Sequence, residues 1–163
     1  NIEPTLEDKV HIIQNAIELA IMMGVPEPKV AILSAVETVN VKIRSTLDAA
    51  ALCKMADRGQ IKGGLLDGPL AFDNAVSLVA AKTKGIRSAV AGQADILVVP
   101  DLESGNMVAK QLEYLADALM AGVVLGARVP IVLTSRADTA ETRTASCAIA
   151  QLMAHKRRQG VRL

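Results

Sequence analysis

Four short apolar segments recur along the chain: Val30 to Val36, Ile61 to Leu66 (broken by Lys62, Gly63 and Gly64), Ile96 to Val99 and Ile131 to Thr134. Each is bounded by proline or polar residues and is too short for a helix. A strand with one wet face alternates apolar and polar residues, whereas runs like these belong to strands buried on both faces. Segments with helical spacing separate them. Thr5 with Asp8 three residues on is a helix-start signal, and Val10, Ile13, Ile17 and Ile21 follow on one face. Gly24 ends this helix, and Pro26 and Pro28 forbid its continuation. Ser45 or Thr46 opens a second helix that closes at Gly59, and a third runs from about Leu70 to Lys82 and stops at Gly85. A fourth spans about Ser104 to Leu119, and Thr139 caps a last one with Ala145, Ala148, Ile149 and Leu152 on one face. The order α-β-α-β-α-β-α-β-α predicts an α/β fold, with a mostly parallel sheet covered by helices on both faces.

Composition narrows the function. The chain has 163 residues and a formal net charge of +1, so no electrostatic case exists for a polyanionic partner. One Phe (Phe72), one Tyr (Tyr114) and no Trp leave almost no stacking platform for single-stranded nucleic acid. Cys53 and Cys147 each sit in an Ala/Leu/Met-rich helical pattern, as buried small hydrophobes do, and form neither a disulfide framework nor a metal-ligand spacing. No apolar run reaches the roughly 18 residues of a membrane span, and no signal peptide opens the chain, so a cytoplasmic protein is expected. The start at Asn1, without methionine, reads as a piece whose upstream part is missing.

Ligands of open α/β sheets bind beyond the carboxyl ends of the strands. The first run leads to Glu37, Thr38 and Asn40, the second to Asp67, the third to Asp101, and the fourth to Ser135, Arg136 and Asp138. Parallel strands would gather all of these at one rim, with little but Lys29 and Lys62 opposite. Ser135-Arg136 lies between a strand and a helix start, where free N–H groups and partial positive charge favour anions. An arginine there adds a fork suited to phosphate. The plainer alternative is a surface pair of Arg136 with Asp138 or Glu141.

Three segments carry a family resemblance. Asp67-Gly68-Pro69-Leu70-Ala71-Phe72-Asp73 resembles the DGPLxFD segment of phosphate acetyltransferases and phosphate butyryltransferases. Gly92 to Asn106, through Pro100-Asp101-Leu102 and Gly105-Asn106, resembles their GxANVLIFPDLxxGN stretch. Val129-Pro130 leading to Ser135-Arg136 resembles their PVNDLSRG strand and turn. The three in order cover essentially the whole chain.

The resemblance implies the fold of isocitrate and isopropylmalate dehydrogenases, two α/β domains flanking a cleft in a homodimer. Residues 1–122 would be most of the inserted second domain, and residues 123–163 the returning C-terminal segment of the first. It implies reversible acyl transfer, acetyl-CoA plus phosphate giving coenzyme A plus acetyl phosphate, with butyryl transfer as the alternative. Coenzyme A is then a substrate, and no cofactor or metal is required. Arg136 would hold the phosphoryl group, and Ser135 would hydrogen-bond the oxyanion or the phosphate. Asp67, Gly68, Asp101, Gly105, Asn106 and Thr139 would line the substrate site.

The acetyltransferase pattern places a catalytic aspartate six positions after the arginine, which here is Thr142. Glu141 and Asp138 are the nearby carboxylates, Glu141 being the preferred general base. The Ser-Arg-Ala-Asp turn resembles the butyryltransferase branch and the acetyltransferase domains fused to an enoyl-CoA hydratase. The 163 residues alone are expected to bind coenzyme A weakly and to lack transferase activity. Two other readings remain: a metal-dependent hydroxyacid dehydrogenase of the same fold using Asp67, Asp101 and Asp138, and a non-catalytic dimerisation domain.

Overall fold

The computed structural model describes residues 1–160. The chain divides into two compact units, Asn1–Gly105 and Asn106–Leu163. The first unit is built on three parallel strands, β1 (Lys29–Leu33), β2 (Leu65–Leu70) and β3 (Ile96–Val98), in the order β2-β1-β3. Val30 of the central strand lies opposite Leu66 on one side and Ile96 on the other.

Successive side chains of a strand point to opposite faces. Val30 and Ile32 pack with Ile13 and Ile17 of α1 (Leu6–Met22) and with Ala49 and Leu52 of α2 (Arg44–Asp57). Ala31 and Leu33 pack on the other face with Leu70, with Ala75 of α3 (Phe72–Val76) and with Ala81 of α4 (Leu78–Thr83). Each wholly buried Ile, Leu or Val contributes roughly 1.5–3 kcal/mol relative to exposure. The parallel sheet with both faces covered is as the sequence predicts.

Local signals fare unevenly. Thr5 caps α1 in a reciprocal box with Asp8. α2 opens at Arg44 with no side-chain cap, although Ser45 or Thr46 was the expected start. The expected single helix from Leu70 to Lys82 is two helices. Ser77 is extended between them (φ −122°, ψ 115°), and its hydroxyl accepts the N–H of Ala80, capping α4.

β2 begins and ends about four residues later than the sequence suggests. Gly63, at φ 87°, sits in the turn that delays the strand, so Asp67-Gly68-Pro69 continues it instead of following it. Asp67 is therefore opposite Ala31 within the ladder, away from the carboxyl rim. The pairing shifts register between Ala31 and Leu33, and β2 is an edge strand, where a proline can lie. At Gly68 a side chain would lie 2.8 Å from both Cβ and the carbonyl of Ile32 and 3.2 Å from Cβ of Ala49, so this glycine lets α2 approach the sheet.

α5 (Leu102–Leu115) leads into the second unit. There β4 (Val123–Val124) pairs antiparallel with β5 (Ile131–Val132), and α6 (Ala140–Arg158) follows, capped by Thr139. The fourth apolar run is thus half of a hairpin and not a fourth parallel strand. The connection after Val124 is too short for a crossover, so only an antiparallel partner is within reach. Val129, Ile131, Val132 and Leu133 remain exposed. Among the described residues no helix is long and apolar enough to cross a membrane.

Candidate functional site

Ser135 to Asp138 forms a closed turn between β5 and α6. The Ser135 N–H donates to Asp138 Oδ2 (2.6 Å), the Asp138 N–H donates to the Ser135 carbonyl (3.2 Å), and the Ala137 N–H donates to Ser135 Oγ (3.4 Å). Asp138 is thereby committed to shaping the turn. Arg136 is exposed and makes no ion pair among the described residues, so the surface pairing with Asp138 or Glu141 does not form.

The turn is fixed from below by α6. The Thr142 N–H donates to Thr139 Oγ1 (3.1 Å), and the buried Ser146 hydroxyl donates to the Thr142 carbonyl (2.7 Å). The Gly122 N–H donates in turn to Ser146 Oγ (2.9 Å), and the Leu133 N–H donates to the Gly122 carbonyl (3.0 Å). A side chain at position 122 would run into the Leu133 carbonyl, so glycine is required for this approach. Thr142, at the position of the family's aspartate, is buried against Thr139.

Two hollows flank α6. One, of about 370 Å³, is lined by Asn106, Lys110, Glu113, Ser135, Asp138 and Thr142, among others. The other, of about 570 Å³, is lined by Glu113, Tyr114, Asp117, Thr139, Glu141 and Thr142, among others. The structure therefore brings Asn106, Ser135 and Asp138 together, and places Thr139 and Glu141 on a different hollow. Lys110 is the residue sequence reasoning missed. Its position four residues after Asn106, on one helix face, was the available signal.

The remaining candidates lie in the first unit. Asp101 caps α5: its Oδ1 accepts the Ser104 N–H (2.8 Å) and hydroxyl (2.7 Å), and these bonds hold its carboxyl below the ordinary range. Gly105 is in the first turns of that helix, against Val99. Asp67 accepts the Gly68 N–H (2.9 Å) and stays within β2. The three carboxylates of the dehydrogenase reading thus lie mid-strand, at a helix cap and in the Ser135 turn. Among the described residues no three His, Cys, Asp or Glu side chains converge as metal ligands do.

A separate hollow of about 500 Å³ is lined by Thr5, Lys9, Arg44, Ser45, Asp48 and Asp101, among others. Within it Lys9 Nζ donates to Asp48 Oδ2 (2.7 Å), with both side chains almost fully buried. The sequence reading did not single out this pair.

The cysteines differ from each other. Cys53 is partly buried, its thiol lies 3.6 Å from the Gly68 carbonyl, and burial, then Asp67 and Asp57, push its pKa up to about 12. Cys147 is exposed, contrary to the expectation of a buried residue, because α6 turns that position outward. The thiolate is the reactive form. Ellman's reagent is expected to titrate one thiol per native chain rapidly, and Cys147→Ser to abolish that phase. A rapid phase surviving in Cys147→Ser would show that Cys53 is open to reagent.

Comparison with known proteins agrees with this arrangement of motifs. The profile of the family described as phosphate acetyl/butaryl transferase matches residues 1–151. A phosphate acetyltransferase of Rhizobium meliloti is 67% identical over 158 residues, covering 97% of this chain and 50% of that protein. A probable phosphate butyryltransferase of Bacillus subtilis is 55% identical over 150 residues, covering 92% and 50%. The crystal structure of a branched-chain phosphotransacylase from Enterococcus faecalis V583 superposes with a TM-score of 0.86 at 37% identity, over 95% of this chain and 55% of that one. The chain thus spans about half the length of the relatives it matches. It belongs to the phosphate acetyl/butyryl transferase family.

Proposed function

We propose that this chain contributes to reversible acetyl transfer between coenzyme A and inorganic phosphate, with butyryl transfer as the second reading. The observation that carries it is the closed Ser135–Asp138 turn, which holds an exposed Arg136 with no ion pair among the described residues and has a hollow beside it. The acetyl reading follows the 67% identity to a phosphate acetyltransferase. The butyryl reading follows the Ser-Arg-Ala-Asp turn and the 55% identity to the Bacillus subtilis protein.

In the direction that forms acyl-CoA, the coenzyme A thiol attacks the carbonyl of the acyl phosphate, a C–S bond forms, the C–O bond to phosphate breaks, and the thiol proton passes to a base. Ser135 Oγ hydrogen-bonds the oxyanion or the phosphate. Arg136, with no ion pair among the described residues, offsets charge on the leaving phosphate. A thiol with a reference pKa of about 8.5 needs a base at neutral pH. Asp138 replaces Glu141 as the better candidate, because it shares a hollow with Ser135 while Glu141 lines the other. Its Oδ1 makes no hydrogen bond to a described residue.

Coenzyme A is a substrate in this scheme, and no metal or cofactor takes part. Residues 1–122 are most of an inserted domain and 123–163 the returning segment of the other, in a cytoplasmic homodimer of the dehydrogenase-like fold. The exposed apolar hairpin supports such a completion.

The test is arsenolysis of acetyl-CoA, and its formation from acetyl phosphate, by the longest natural polypeptide carrying these residues. Turnover in both is expected, with faster acetyl than butyryl transfer, and absence of both sinks the proposal. Asp138→Asn is expected to lower turnover and change its pH profile more than Glu141→Gln. The reverse ranking would return the base to Glu141.

A further inference from the structure

Asn106, Lys110 and Glu113 fall at i, i+4 and i+7 of α5, one face of the helix. All three line the hollow whose other wall includes Ser135 and Asp138. Arg136, the cation the family motif draws attention to, is not among the residues lining it. The positive group facing the Ser135 turn is Lys110.

Two contacts hold its ammonium. Lys110 Nζ donates to Glu113 Oε2 at 2.6 Å, and the Glu113 side chain is only 17% exposed. The Tyr114 ring lies 5.5 Å from the ammonium. An ammonium has three N–H donors, and Glu113 engages one, leaving two for an acceptor in the hollow. The hydrogen bond that Lys110 donates to Glu113 and, more weakly, the nearby Asp138 raise its pKa above the usual lysine value, so it stays charged at neutral pH.

We propose that Lys110 contacts the phosphate, or the phosphoryl group of the acyl phosphate, beside the Ser135 turn, and that Glu113 is a positioning residue acting through Lys110. The proposal rests on the acyl-transfer reading for the identity of the anion. It adds a division of labour: Lys110 binds the phosphate from the α5 side, and Arg136 approaches from solvent.

Inorganic phosphate is titrated into the longest natural polypeptide carrying these residues and into its Lys110→Gln, Lys110→Arg and Glu113→Gln variants, while the backbone amide resonances of residues 135–138 are followed by NMR. Saturable shifts at the turn are expected, with Kd raised about tenfold in Lys110→Gln, the scale of one charge-assisted hydrogen bond. Lys110→Arg should stay within about threefold, and Glu113→Gln should fall between, as loss of orientation without loss of charge predicts. If Lys110→Gln fails to fold, Glu113→Gln carries the test. A Kd within about twofold of wild type in the variant tested, or no saturable shift in the wild type, overturns the assignment. The acyl-transfer assay separates the two readings. Phosphate bound through Lys110 without transfer sinks the acyltransferase and keeps this site, whereas transfer with an unchanged phosphate KM in Lys110→Gln sinks only this site.

Discussion

Arg136→Ala is expected to lower acyl-transfer turnover at least about a hundredfold, the loss seen when a group stabilising developing charge is removed. The arginine is exposed and has no ion pair among the described residues, so it has no structural duty that the substitution would disturb. Its neighbour Asp138 accepts the Ser135 N–H through Oδ2 and makes no ion pair with it. Stability should therefore be unchanged within about 0.5 kcal/mol, as for surface positions generally. Arg136→Lys should recover only part of the rate, because a point charge does not reproduce the planar fork. Turnover in Arg136→Ala within about threefold of wild type would remove this residue from the mechanism.

The largest effect on stability is expected at Asp48. Lys9 and Asp48 are 2.7 Å apart with side chains 7% and 12% exposed, and they join the first turns of α1 and α2. Arg44 approaches the same carboxylate at 3.8 Å but is mostly in solvent and cannot replace Lys9. Asp48→Ala leaves a buried ammonium without its partner, a change that costs about 3–5 kcal/mol. That is a large share of the stability of a domain this size. Lys9→Met combined with Asp48→Leu should restore most of it, since apolar groups of similar volume often replace a buried pair without loss. Urea denaturation of the three proteins checks this. A loss below about 1 kcal/mol in Asp48→Ala would mean that water reaches Lys9.

What the sequence disclosed follows from the range of the interactions. The Thr5–Asp8 box closes within three residues, so its partners are visible side by side. The β1 core was legible because a strand buried on both faces needs an uninterrupted apolar run. β2 was misplaced because Gly68 and Pro69 look like a turn, and only the close approach of Ile32 and Ala49 shows why a strand uses them. The Lys9–Asp48 pair spans 39 residues, and Lys9 sits beside Val10 as any surface lysine would. Lys110 was missed similarly: its helix and the Ser135 turn are far apart in sequence. The hairpin was read as a parallel strand because two residues of β4 are too few to leave a pattern.

That hairpin has a consequence for the order in which the molecule opens. β1 is flanked by strands on both sides and helices on both faces, whereas β4 and β5 form a two-stranded ribbon packed against α6. A two-stranded ribbon with exposed apolar side chains is marginal by itself. Its amides should exchange with solvent through local fluctuations, long before those of Val30 to Ile32, which wait for global unfolding. The Ser135 turn hangs from the less protected of these elements. An anion that gathers the turn would therefore also quench the breathing of the hairpin beneath it, so part of its binding energy would be spent on ordering the protein.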